Sequence, residues 1–256
     1  MVSINSGAPI TLAAFATQST TKTNAGKSTS LFSNPASSLA KSSEASPQAS
    51  SNEKKDFSAV AKDARASLDV SYKTTGKEAN QYTTAPEWES LLGKMDRRSL
   101  YAIASNEGGQ FSEAEKTGAQ GIMNLQLYKA MGVDNNPAAA ANPTAAMQKA
   151  GMQFLDSVSD EEKTSMTWAE KRTNLELAYE HFSRREGQEP DAIESDSPLV
   201  KLIKGGFNNL RQTGDPSRQL KDTPEYQQAV QLSEQLKAGL KAKGGNGSAR
   251  TVDITA

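Results

Sequence analysis

From Glu53 onward apolar residues recur with a period near 3.6, and no stretch alternates as a half-buried strand would, so the pattern predicts helices throughout. Phe57, Val60, Ala61, Ala64 and Leu68 mark one amphipathic face. Thr84 and Glu87 form a capping box with Pro86 in the first turn, opening a helix striped by Trp88, Leu91, Leu92 and Met95. Asp96 is the expected N-cap of a helix carrying Leu100, Ile103 and Ala104, which Gly108-Gly109 ends. Ser112 and Glu115 make a second capping box, for a helix carrying Ala119, Ile122, Met123 and Leu127 that stops at Gly132.

Asn142 before Pro143 predicts the next start, with Met147, Gly151, Phe154, Leu155 and Val158 on one side. Ser159 with Glu162 predicts a short turn. Thr167 with Glu170 predicts a helix carrying Trp168, Leu175, Ala178, Tyr179 and Phe182. Ser197-Pro198 opens one with Leu199, Leu202, Ile203 and Leu210, and Thr223-Pro224 opens the last, with Tyr226, Val230, Leu236 and Leu240. The expected fold class is all-α. A single helical domain of about seven helices covers residues 85–243, with a helix and linker over 53–84 before it and a flexible tail over 244–256 after it.

Residues 1–52 break this pattern. Ser and Thr supply 19 of the 52, the first acidic residue is Glu44, and only Lys22, Lys27 and Lys41 are basic. Such a segment buries too little apolar surface to offset an ordering entropy of about 1–2 kcal/mol per residue, so disorder is expected. Ala14-Phe15-Ala16 has the small-x-small form of a secretory cleavage site. No Lys or Arg precedes the apolar run, however, and Thr11 interrupts it, which argues against a cleaved signal peptide. The Ser/Thr-rich, acid-free start with Ile4 resembles the uncleaved N-terminal signals of type III secretion substrates, injectisome and flagellar alike. That resemblance implies export of a chain that stays unfolded to enter a narrow channel.

Composition narrows the chemistry. With 29 basic and 30 acidic residues the net charge is −1, which excludes a generally basic nucleic-acid binder, and no nucleic-acid partner is expected. Arg97-Arg98 and Arg184-Arg185 are each balanced by nearby acids. The absence of cysteine excludes a disulfide framework, a thiolate metal site and a cysteine nucleophile. No stretch approaches the roughly 20 apolar residues of a membrane span. His181, the only histidine, lies in a helix between Glu180 and Phe182. In a chain without cysteine one histidine makes no zinc site short of an all-carboxylate arrangement, and no Gly-x-Ser-x-Gly elbow accompanies it. It reads as a surface or capping residue; neither a metal nor a cofactor is expected. Trp88 and Trp168 read as core.

One stretch carries a catalytic pattern. Asp96-Arg97-Arg98-Ser99-Leu100-Tyr101-Ala102-Ile103-Ala104-Ser105-Asn106-Glu107-Gly108-Gly109 is a helix ending on an acid, followed by Gly118-Ala119-Gln120-Gly121-Ile122-Met123-Asn124. Gly132-Val133-Asp134-Asn135, Asn142-Pro143 and Leu177-Ala178-Tyr179 come later. Residues 96–155 in this arrangement resemble the lytic transglycosylase family, whose lysozyme-like all-α domain cleaves peptidoglycan. The resemblance implies Glu107 as the lone general acid/base. It implies Tyr179, Ile122, Met123 and Asn124 as substrate-binding residues, with assistance from the substrate's own N-acetyl group in place of a second carboxylate. Asn124 stands where the family has Gln, and Glu180-His181 where it has Asn-Ala. The Ser112 capping box predicts a continuous helix to Met131, where the family has an irregular loop.

The leading expectation is a non-catalytic bacterial interaction protein, exported in the type III or flagellar sphere without a cleaved signal, secreted or held at the cell envelope, and acting on a protein partner. The alternative is a peptidoglycan-cleaving enzyme using Glu107. A second alternative is a cytoplasmic helical adaptor or regulator.

Overall fold

The computed structural model describes residues 55–134, 136–215 and 217–245. The disorder expected over 1–52, and all of the tail expected over 244–256 except its first two residues, lie outside these residues. The all-α expectation holds: the described residues form ten α-helices and two short 3-10 turns, with no strand among them. None of these helices is long and apolar enough to cross a membrane.

The helices are α1 (Phe57–Thr75), α2 (Ala85–Leu92), α3 (Arg97–Ala104), α4 (Glu113–Ala130), α5 (Pro137–Ala141), α6 (Ala145–Asp156), α7 (Asp160–Lys163), α8 (Met166–Arg185), α9 (Pro198–Thr213) and α10 (Pro224–Gly245). The additions to the expected set are brief: α5 has five residues and α7 has four, too few for a periodicity to show. The helix α10 continues through residue 245, past the boundary expected at 243.

Caps explain most boundaries. Glu87 Oε2 accepts both the Thr84 amide and its hydroxyl. Asp96 Oδ1 accepts from the Ser99 amide at 3.0 Å. At Ser112 the box is reciprocal: the Glu115 amide donates to Ser112 Oγ, and the Ser112 amide to Glu115 Oε2. Two starts differ from expectation. Asn142 does not open α6; it closes α5, donating from its amide and its Nδ2 to Ala138 O, while Thr144 caps α6 through the Met147 amide. Pro143 disfavours helical geometry at Asn142, which moves the start downstream. Thr167 does not cap α8 either. Ser165 does, accepting from the Trp168 amide while donating to Glu162 O, so one serine closes α7 and opens α8.

Two apolar clusters form the interior. The first gathers α1 to α4: Val60, Ala61, Ala64 and Leu68 meet Trp88, Leu92, Leu100, Ile103, Phe111, Ala119 and Ile122. The second gathers α6, α8, α9 and α10: Met152, Leu155, Trp168, Leu175, Tyr179, Leu199, Val200, Ile203 and Ala229. The break expected at residue 84 is therefore not a break in packing, because α1 supplies a wall of the first cluster and belongs to the same compact unit as the later helices. The packed face of α10 also differs from the expected stripe. Val230 is 37 % exposed, whereas Ala229 and Ser233 are fully buried. Small residues allow close approach here, and Ser233 Oγ is satisfied by donating to Thr164 O at 2.6 Å.

Candidate functional site

A cleft of about 950 Å³ opens where the two clusters meet. Its walls come from the start of α1, one face of α3 with the turn after it, the middle of α4, the α7–α8 corner and the C-terminal half of α10. Phe57, Tyr101, Met123, Trp168 and Leu240 give it an apolar lining, and ten charged side chains share its surface.

Glu107 is one of them, and the local backbone explains its placement. The helix α3 stops because Asn106 adopts a left-handed conformation (φ 54°), which asparagine tolerates better than most residues. Asn106 Oδ1 then accepts from the Phe111 amide at 2.9 Å, closing the turn. Gly108 follows at φ 76°, a conformation open to glycine at little penalty. The stop is thus at Asn106 rather than at the Gly-Gly pair itself. The turn holds the Glu107 side chain, 16 % exposed, against the cleft, where Oε2 meets Lys241 Nζ at 3.3 Å across from α10.

The other residues of the transglycosylase pattern scatter. Met123 lines the cleft, but α4 is an unbroken helix there and the Met123 carbonyl accepts from Arg97 Nη1. Ile122 is buried in the first cluster. Asn124 Oδ1 accepts from Lys171 Nζ at 2.6 Å. Tyr179 is not among the lining residues; its hydroxyl contacts Asp191 Oδ2 and the Asp191 amide, each at 3.2 Å, tying α8 to the segment that follows it. The cleft therefore holds Glu107 and Met123, touches Asn124 through Lys171, and leaves Tyr179 and Ile122 elsewhere. His181 is exposed.

Ion pairs take up most of the cleft's charge. Arg97 grips Glu162 with two hydrogen bonds, 2.7 and 3.0 Å, while its guanidinium lies over the Phe154 ring. Arg98 pairs with Glu161 and stacks over Phe57. This pairing overrides the upward push of burial and holds the Glu161 carboxyl below its ordinary value. Lys237 pairs with Glu234, and Lys55 with Asp63. Asp56 is exposed and accepts from the Ser58 hydroxyl. Burial, with the charges of Glu162, Glu161 and Glu107 adding to it, pushes the Tyr101 hydroxyl up to about 12, so it stays protonated.

Lys171 stands apart. It is half-buried on the cleft wall, the neutral Asn124 amide is its hydrogen-bond partner, and among the described residues it joins no ion pair. Burial and the neighbouring Arg97 charge lower its pKa, against the opposing pull of Glu162 and Glu170. Sequence reasoning did not single out Lys171, Gln120, Tyr101 or Lys241. Each is an ordinary helical residue in the sequence, and only the packing of α3, α4, α8 and α10 brings them to one cleft.

Compared with known proteins, the chain matches no family model, no curated protein and no solved structure.

Proposed function

We propose that this chain is a non-catalytic interaction protein, exported through its Ser/Thr-rich N-terminal segment, which takes an apolar-faced segment of a protein partner into the cleft between its two clusters. The observation that carries the reading is the state of the cleft's charges. Glu107, Glu161, Glu162, Arg98 and Lys241 are held in ion pairs within the fold, while the apolar lining is left to the half-buried Phe57 and Leu240 and the edges of the buried Tyr101, Met123 and Trp168. Such a lining suits apolar protein surface.

Deleting residues 2–40 is the test of export. The deleted chain is expected to stay in the cells with an unchanged circular dichroism spectrum, while the full chain appears in the culture supernatant. Equal export of both would sink this part of the reading. For the cleft, the full chain carrying a photo-crosslinker at Ala238 captures the partner, and affinity is then measured with purified components. Ala238→Trp, which fills the cleft, is expected to abolish binding, and undiminished binding by that variant counts against the cleft.

One observation favours a second reading: Glu107, mostly covered, faces a groove large enough for a sugar ring or more. A peptidoglycan lytic enzyme would clear a cell-wall suspension in the wild-type form and lose that activity in Glu107→Gln. The leading reading expects wild type and variant to be equally inert.

A further inference from the structure

Lys171 is the one cation on the cleft wall that is both shielded from water and without a carboxylate contact among the described residues. The charged groups around it are accounted for. Arg97 from α3 is engaged with Glu162 from α7, and Glu170, beside Lys171 on α8, accepts from the Tyr226 hydroxyl of α10. From α4 comes only the neutral Asn124. Glu162 and Glu170 act on Lys171 only through space, and neither is in hydrogen-bond contact with it among the described residues. An ammonium stripped of part of its hydration and held by a single amide oxygen gains more from an anion than one already ion-paired. The edges that the buried Met123, Trp168 and Tyr101 show to the cleft are apolar, which suits an anion carried on an apolar scaffold.

We infer that Lys171 is a carboxylate-binding point in the cleft, and that it recognises an acidic side chain on the apolar-faced segment of the partner. The carboxylate replaces Asn124 Oδ1 as the acceptor from Lys171 Nζ, while the flanking apolar side chains lie on the Met123 and Trp168 walls. The lowered pKa of Lys171, caused first by burial and then by the Arg97 charge, agrees with an ammonium that has lost part of its hydration. The inference rests on the reading of the cleft as a protein-binding surface and adds the chemistry of what it selects.

The test uses the full chain and short peptides with blocked ends, so that one side chain carries all the charge. The probes are acetyl-Leu-Glu-Leu-amide, its Gln twin, and free acetate. Binding is followed by NMR of the Lys171 ammonium and of the Asn124 side-chain amide. The Glu peptide is expected to shift both signals saturably and the Gln peptide to bind about tenfold or more weakly, the scale of one charge-assisted hydrogen bond. Lys171→Gln, with Asn124 as its reporter, is expected to remove the preference for Glu, and Lys171→Arg to keep part of it. Equal binding of the two peptides, absence of any shift while the fold is intact, or full retention of the preference by Lys171→Gln each overturns the inference. Binding of acetate as tight as that of the Glu peptide also overturns it, because the site would then serve a free acid. These peptides report on Lys171 alone. Their failure alongside partner capture at Ala238 sinks only this inference; their success without any captured partner sinks only the broader reading.

Discussion

The two clusters of this protein are built differently. In the first, α1 to α4 pack apolar side chains, and the buried acid is Glu115 at the edge, where it accepts from Arg65 Nη1 at 2.8 Å and from the Tyr72 hydroxyl at 2.9 Å. In the second, Arg172 is 1 % exposed in the interior of α8. It donates to Asp156 at 2.8 Å and to Glu176 at 2.9 Å, and Lys204 from α9 reaches the same Glu176 at 2.7 Å. The first cluster is held by shape in its interior, with its charged contacts at the edge. The second also satisfies a charged network spanning α6, α8 and α9, so its helices have fewer alternative registers: a slip that an apolar face would tolerate strands a charge.

The largest expected effect follows from that difference. Arg172→Ala leaves Glu176 with Lys204 as its remaining cation, strips Asp156 of its partner, and opens a void at a fully buried position. About 3–5 kcal/mol of stability is expected to be lost, measured by urea unfolding. Leu100→Ala, at an equally buried apolar site in the first cluster, is expected to lose about 2–5 kcal/mol. The two losses differ in origin. Replacing Arg172 and Glu176 together by apolar residues of similar volume is expected to recover much of the deficit, because the charge left behind is what makes the single change costly. No recovery in the double variant would show that the second cluster is held by packing in the same way as the first.

Two glycines give a smaller contrast, of opposite sign. In α4, a Cβ built on Gly118 would lie 2.4 Å from the Trp88 ring. Alanine normally gains about 1 kcal/mol over glycine inside a helix, but here Trp88 must shift within a packed core, at about 1–3 kcal/mol. Gly118→Ala is therefore expected to destabilise by about 1–2 kcal/mol. In α10, a Cβ on Gly239 meets nothing within 4 Å, so Gly239→Ala is expected to stabilise by about 0.5–1 kcal/mol. Thermal unfolding of both variants decides the matter; a stabilising Gly118→Ala would mean that the contact with Trp88 is slack.

What could be read in advance divides along the same physical lines. Helix class, order and most starts were legible because capping residues and apolar spacing act locally: Asp96, Ser112 and Pro198 open helices where their neighbours alone require it. The packed face of α10 departs from the apolar spacing because Ala229 and Ser233, small and in one case polar, are buried by the approach of other elements, which that spacing does not encode. The same holds for Arg172. A charged residue between Lys171 and Thr173 looks solvated until α6 and α9 close over it. The site was half legible. Glu107 was visible as an acid ending a helix, and the turn that aims it follows from Asn106 and Gly108. That Lys241, some 130 residues later in the chain, would meet it could not be read from spacing.

The smallest effect tests the buried acid of the first cluster through pH. Burial alone would raise the Glu115 carboxyl, but hydrogen bonds from Arg65, the Ser112 amide and Tyr72 outweigh it and hold the group below its ordinary value. A carboxyl depressed in the folded state contributes stability that is complete above the ordinary carboxylate range and is lost as the pH falls through the folded value. Wild-type stability is thus expected to decline from about pH 5 downward, with Glu115 responsible for part of the slope. Glu115→Gln keeps the shape and an acceptor oxygen but removes the titration. At neutral pH it is expected to be about 1–2 kcal/mol less stable, since Arg65 and Tyr72 lose a charged acceptor. The deficit should shrink as the pH falls, because the wild type loses what the variant never had. Parallel urea midpoints for the two proteins across the acid range would mean that Glu115 titrates alike folded and unfolded, and that the first cluster owes nothing to its one buried charge.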